Sequence, residues 1–180
     1  MLIESAPVFR GRVITLNTDR VRFPDGSEGQ LDTIRHPGAA AVVPMIDSPT
    51  DPDPRILLLR QFRHAADGVI WEVPAGTLEA GEPPERCAHR ELLEEAGCQA
   101  GSLQYLTQIL VAPGYTDERI HLYLATDLKR GEARPERDEF ITVHEFRWSE
   151  VGRMIRQREI IDAKSLIALM YVQCFCRLPG

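Results

Sequence analysis

Three carboxylates stand at helical spacing in the stretch GTLEAGEPPERCAHRELLEEAGC, residues 76–98: Glu91, Glu94 and Glu95. At about 100° per residue they project within an arc of about 100°, and Ala88, Leu92 and Ala96 form an adjoining small apolar stripe. The helix is bounded by its own sequence. Pro83 and Pro84 suit a start, where the missing N–H costs nothing, and Gly97 suits an end that needs a left-handed residue. About three turns lie between them. One side is expected to pack and the other to gather negative charge. Like charges at i,i+3 and i,i+4 each cost a few tenths of a kcal/mol on an isolated helix, so the cluster needs a compensating cation or plentiful water. Hard oxygen donors of this kind suit Mg²⁺ or Mn²⁺. Arg90 and Glu82 offer an internal pair that ties the loop before the helix to the helix itself, and metal ligands need such a brace.

A glutamate pair at i,i+4, taken alone, reads as the solvated face of a surface helix. The full pattern is more specific. It resembles the Nudix box, GX5EX7REUXEEXGU with U a bulky apolar residue: Gly76, Glu82, Arg90, Glu91, Leu92, Glu94, Glu95 and Gly97 all match, and only Cys98, at the final U, is atypical. With residue frequencies of roughly one in fifteen, the seven invariant positions coincide by chance on the order of once in 10⁸ starting points. The resemblance implies an α/β/α sandwich and hydrolysis of a diphosphate linked to a second moiety. Further along, Ala112-Pro113-Gly114-Tyr115-Thr116-Asp117-Glu118 looks like the loop of the ADP-ribose pyrophosphatase branch, with Ala112 where Ser is usual. Arg60-Gln61-Phe62-Arg63, Asp138-Glu139-Phe140-Ile141 and Ile161-Asp162-Ala163 extend the likeness over most of the chain.

What the resemblance implies for the site can be stated residue by residue. Glu91 and Glu95 are the principal metal ligands, Glu94 is a further ligand or near neighbour, and the backbone carbonyl of Ala75 completes the set. The branch places a glutamate base in the loop before the last strand, where Glu139 is the first choice and Glu136 the second; by residue type alone Glu139 is an ordinary solvated carboxylate. Arg60 and Arg63 are three apart on a strand and so face opposite ways. Only one meets the substrate, and Arg63, nearer the loop end, is the better placed. Pro113, Gly114 and Tyr115 are the loop's substrate contacts, Tyr115 having an aromatic plane suited to adenine or a ribose face. The implied reaction is Mg²⁺-dependent conversion of ADP-ribose to AMP and ribose 5-phosphate. The alternatives are another nucleoside diphosphate sugar such as GDP-mannose, and a non-catalytic nucleotide sensor, against which the intact Arg90, Glu91, Glu94 and Glu95 argue.

The elements that must position these residues follow from hydrophobic patterning. Residues 8–16 and 20–35 alternate around the turn DGSEG and read as an antiparallel meander. Residues 38–46 and 55–63 are buried strand candidates separated by the proline- and aspartate-rich loop 47–54. Residues 69–76, VIWEVPAG, read as one short strand running into the box. Residues 103–112, 120–128 and 140–148 are further strands. Helices are expected near 149–158 and 162–177, the latter with Leu166, Leu169, Met170 and Phe175 as an apolar stripe facing the core. The expected fold is a mixed α/β arrangement, a sandwich over residues 37–180 preceded by the meander of residues 1–36. The meander carries more apolar residues than an isolated hairpin buries, Val8, Phe9, Val13, Ile14, Leu16, Val21 and Phe23 among them, so a partner subunit is expected to cover it in a homodimer.

Composition is consistent with this. The chain has 180 residues, 43% hydrophobic and 27% charged, enough for one domain with a sizeable core. A net charge of −6 argues against nonspecific nucleic-acid binding. Four cysteines, Cys87, Cys98, Cys174 and Cys176, lack zinc-site spacing and point to reduced thiols in the cytoplasm. The start, MLIESAPVFRGR, is unlike a signal peptide, and no apolar run approaches the ~20 residues that span a bilayer.

Overall fold

The computed structural model describes residues 1–134 and 140–176. The chain opens with β1 (Leu2–Arg10), β2 (Thr15–Arg22) and β3 (Glu28–Arg35), an antiparallel sheet in that order. Asp25 sets the turn between β2 and β3, its carboxylate accepting from the backbone N–H and the hydroxyl of Ser27 at 3.0 and 2.6 Å. Of the apolar residues singled out in this segment, Val8, Phe9, Val13 and Phe23 are exposed, as are Leu2 and Leu31, whereas Ile14, Leu16 and Val21 are half-buried. It is fastened to the rest through the end of β3. The Ile34 N–H donates to Tyr115 O at 2.8 Å, and the Asp117 carboxylate accepts from the His36 N–H at 2.9 Å and from Arg35 at 3.2 Å.

Next come β4 (Ala39–Pro44), β5 (Arg55–Arg63), β6 (Gly68–Glu72), β7 (Ala75–Thr77), α1 (Pro84–Ala96), β8 (Cys98–Gln99), β9 (Ser102–Leu110), β10 (Arg119–Thr126), β11 (Lys129–Arg130), β12 (Ile141–Arg147), α2 (Trp148–Arg156) and α3 (Ala163–Phe175). Two sheets form the centre, in the orders β7-β4-β10-β9 and β12-β5-β6, with β4 and β10 parallel and the other neighbours antiparallel. Alternation along β4 decides the layers. Ala39, Ala41 and Val43 pack with Ala168, Leu169 and Val172 of α3, while Ala40 and Val42 pack with Cys87, Ala88, Leu92 and Ala96 of α1. Helices therefore cover both faces, and the expected mixed sandwich is the observed fold. No helix among the described residues is long and apolar enough to cross a membrane.

Three expectations need correction. VIWEVPAG is two strands in two sheets. Pro74 has no N–H to give, so the ladder breaks there, and the chain switches sheets while Val73 N–H donates to Ser165 Oγ at 2.9 Å and Pro74 O accepts from Val42 N–H at 2.9 Å. Trp148 begins α2 and does not end β12. In α3, only Leu169 of the expected stripe is fully buried, whereas Met170 and Phe175 are 55% and 71% exposed. The helix is apolar nearly all round, so its sequence does not mark the inner face; Ser165, Ala168, Leu169 and Val172 form it.

Candidate active site

Helix α1 begins with Pro84 after an extended Pro83 and ends at Gly97, whose φ of 62° is left-handed and whose N–H donates to Leu93 O at 3.0 Å. A side chain at Gly97 would also meet the backbone of residue 133 at 2.8 Å, so two constraints fall on one glycine. The expected division of α1 into a packed side and a charged side is only half observed. Glu94 is on the open side, but Glu91 and Glu95 are 7% and 1% exposed, turned toward the short strand β7. Strand β7 makes room for them. A Cβ on Gly76 would lie 1.8 Å from Glu91 Oε1, and Glu95 Oε2 accepts from the Ala75 N–H at 2.8 Å.

Arg90 holds this arrangement together. Its Nε and Nη2 donate to the two oxygens of Glu82 at 3.0 and 2.9 Å, Nη1 donates to Glu91 at 2.6 Å and to Glu94 at 3.2 Å, and Nη2 also reaches Thr77 O at 3.1 Å. The loop before α1, the helix and β7 are thereby joined through one guanidinium. Hydrogen bonds from Arg90 hold the Glu82 carboxyl down to about 2, and bonding to Glu82 raises Arg90 further above its ordinary value. Behind them, burial first and the neighbouring Glu91 second push the Cys87 thiol up to about 12, so it is an inert packing group.

Part of this set opens on a cavity of about 670 Å³, within the size range of small-molecule sites, while Glu82, Cys87 and Glu95 lie behind its lining. Ala75, Gly76, Arg90, Glu91 and Glu94 line one part of it, Arg63 with Asp162 and Lys164 another, and Arg12 with His36 and Glu118 a third. Ile109, Val111, Ile120 and Ile167 supply apolar wall. Glu91, Glu94, Glu95 and the Ala75 carbonyl are hard oxygen donors, and the space kept for the Glu91 carboxylate against Gly76 fits a role as ligand. Among the described residues no three His, Cys, Asp or Glu side chains are gathered round one point. A donor set of carboxylate and carbonyl oxygens suits a hard divalent cation.

Other expected site residues separate. Arg63 lines the cavity, its Nε donating to Glu72 Oε2 at 2.9 Å; burial opposes its charge, but Glu72 more than offsets this and its pKa is raised. Arg60 lies on the opposite side of β5, 5.9 Å from the Trp71 ring centroid, and borders a separate hollow with Val69, Phe140 and Thr142. Pro113, Gly114 and Tyr115 form a turn in which the Tyr115 N–H donates to Ala112 O at 3.0 Å, and Tyr115 is 60% exposed; none of the three lines the cavity. That loop instead contributes Glu118. Glu139 and Glu136 lie outside the described residues. Sequence reasoning also missed Arg12, His36 and Lys164. For Lys164 one signal existed: a cation in the first turn of a helix opposes the macrodipole, so something other than helix formation must favour it there.

Residues 35–169 match the family profile of the NUDIX domain. The chain belongs to the Nudix family. An ADP-ribose pyrophosphatase of Bacillus subtilis is 37% identical over 173 residues, covering 95% of this chain and 91% of that protein. A methanol dehydrogenase activator of Bacillus methanolicus is 36% identical with the same coverage. A GDP-mannose pyrophosphatase of Klebsiella pneumoniae is 35% identical over 134 residues, 69% of this chain and 67% of that one. Among solved structures, an ADP compounds hydrolase superposes with a TM-score of 0.79 at 21% identity, covering 96% of this chain and 91% of that one, which places the present Nudix fold beside it as a fold.

Proposed function

We propose that this Nudix chain hydrolyses the diphosphate bond of ADP-ribose to AMP and ribose 5-phosphate, with Mg²⁺ as its metal and Mn²⁺ as a substitute. The observation that carries the reading is a likeness to an ADP-ribose pyrophosphatase that runs over 95% of the chain and so takes in part of the N-terminal sheet. A cavity bringing Glu91 and Glu94 together with Arg63 supports it. Glu91 and Glu95, with the Ala75 carbonyl, would hold the metal, while Arg90 fixes the Glu91 and Glu94 carboxylates and Glu82 fixes Arg90. When bound, the metal draws charge off the diphosphate and acidifies the attacking water. Arg63 meets the substrate anion, and Glu139, or Glu136 in its place, takes the proton from the water.

GDP-mannose is the second reading, favoured by the 35% identity to a GDP-mannose pyrophosphatase, although that match covers only 69% of the chain. The chain acts as a homodimer in which residues 1–36 lie against the partner subunit, since Leu2, Val8, Phe9, Val13 and Leu31 of this segment are left exposed in one subunit. Its four free thiols suit a reducing compartment, the cytoplasm. A panel of ADP-ribose, GDP-mannose and nucleoside triphosphates at saturating Mg²⁺, with products identified, tests the reading. ADP-ribose is expected to give the highest kcat/KM, and preference for GDP-mannose would replace the first reading with the second.

A further inference from the structure

Glu72 ends β6 with 3% of its surface exposed, and no step of the proposed reaction uses it. Its two oxygens are shared between two cations. Oε2 accepts from Arg63 Nε at 2.9 Å and lies 2.8 Å from Nη2, while Oε1 accepts from Lys164 Nζ at 2.8 Å. Lys164, its side chain 12% exposed, also donates to Asp162 Oδ2 at 3.0 Å, and that same oxygen caps α3 by accepting from the Ser165 N–H at 2.9 Å. The Ser165 hydroxyl in turn accepts from Val73 N–H at the point where the chain changes sheets. One connected network thus runs from the end of β5 through β6 to the start of α3, and Arg63, Asp162 and Lys164 all line the cavity.

Folding accounts for the Asp162 cap and the Ser165 bond to Val73, but gives less reason for the Glu72 and Lys164 pair. A lysine in the first helical turn opposes the macrodipole, and a buried charge cluster is on the whole no more stabilising than apolar residues of the same volume. Its effect is on orientation. Arg63 has five N–H donors in a rigid fork, and with Nε donating to Glu72 Oε2 and Nη2 2.8 Å from the same oxygen, the rest of the fork is aimed by the carboxylate. The carboxylate is aimed in its turn by Lys164.

We propose that Lys164 and Glu72 are positioning residues for substrate binding: they hold the Arg63 guanidinium in the attitude that meets the anionic substrate, and they tie that attitude to the N-terminus of α3. This rests on reading the cavity as a diphosphate site. Without Lys164, Glu72 has one cation in place of two and draws the Arg63 fork toward itself and out of register.

The test uses the full chain and steady-state kinetics with ADP-ribose, or with whichever nucleoside diphosphate sugar the wild type cleaves best. Lys164→Met, an unbranched apolar replacement, is expected to raise KM about tenfold while kcat falls less than about threefold, and Lys164→Arg to restore KM to within about threefold. In an Arg63→Ala background, Lys164→Met adds nothing further to KM, because the residue it positions is gone. An unchanged KM with a lowered Tm, or a KM penalty as large with Arg63 absent as with it present, overturns the proposal. If Lys164→Met does not fold, Glu72→Gln in the Arg63→Ala background reads the same coupling, and an additional tenfold there likewise overturns it. A wild type that cleaves none of these substrates overturns the function and this inference with it, whereas an active wild type with a flat KM series overturns the inference alone.

Discussion

Replacing Gly76 by Ala separates the fold from the chemistry. The added Cβ would stand 1.8 Å from Glu91 Oε1 and 2.1 Å from its Cδ, where ordinary contact begins at 3.4 Å, so the carboxylate must move by about 1.5 Å. What it meets is the far end of a flexible side chain, which swings aside without moving backbone. The stability cost is therefore expected near the low end for overpacking, about 1 kcal/mol. The functional cost is much larger, since a misplacement of about 1 Å at a reacting centre loses on the order of 10²-fold in rate, and here the displaced group is a proposed metal ligand that also gives up its 2.6 Å bond to Arg90. Thermal denaturation, a Mg²⁺ titration of activity and kcat/KM on purified Gly76→Ala make the comparison. The expected outcome is a folded protein with Tm lowered by a few degrees, weaker apparent Mg²⁺ affinity and at least a hundredfold loss of kcat/KM. Near-normal turnover at saturating Mg²⁺ would refute the reasoning that the gap above Gly76 exists for Glu91.

Glu82 is held at about 2 against an ordinary 4.5, so its contribution to stability is complete above pH 4.5 and disappears as pH falls through 2. Glu82→Gln should cost at most about 3 kcal/mol at neutral pH, with the gap to wild type closing between pH 4.5 and 2 in urea melts; a gap independent of pH there would contradict the Arg90 pairing. Glu139→Gln is expected to lower turnover with little change in apparent Mg²⁺ affinity, and a loss seen only at low Mg²⁺ reassigns it as a ligand. Deletion of residues 1–36 should give a monomer or an aggregating chain with poor ADP-ribose hydrolysis, as read by light scattering and activity; a soluble, monomeric and fully active product would remove the segment from both roles.

The sequence displayed the chemistry more clearly than its setting. The limits of α1 were legible because Pro84 and Gly97 carry backbone constraints of their own, and the Arg90 to Glu82 pair because residue type and spacing admit few partners. The burial of Glu91 and Glu95 was not legible. A helical wheel records angle but not what β7 leaves open, and the space depends on Gly76, fifteen residues away in sequence from Glu91. The parity of Arg60 and Arg63 followed from strand alternation, whereas the network of Glu72 and Lys164 joins residues 92 positions apart that only the sheet switch at Pro74 brings together. Tyr115 was read by its aromatic ring, but the turn it occupies is fixed by backbone hydrogen bonds to Ala112 and Ile34, and from the same loop it is Glu118 that lines the cavity.

The central claim is that the carboxylates of α1 hold a divalent cation which makes ADP-ribose cleavable, and one measurement meets it most directly. Single-turnover cleavage of ADP-ribose at saturating Mg²⁺ is followed for the wild type and for Glu95→Gln, with AMP and ribose 5-phosphate quantified. The account predicts equal amounts of the two products from the wild type, none after chelation, and a rate at least about a hundredfold lower for a folded Glu95→Gln. Glu95→Gln turning over near the wild-type rate, or wild-type cleavage that survives chelation, would contradict it.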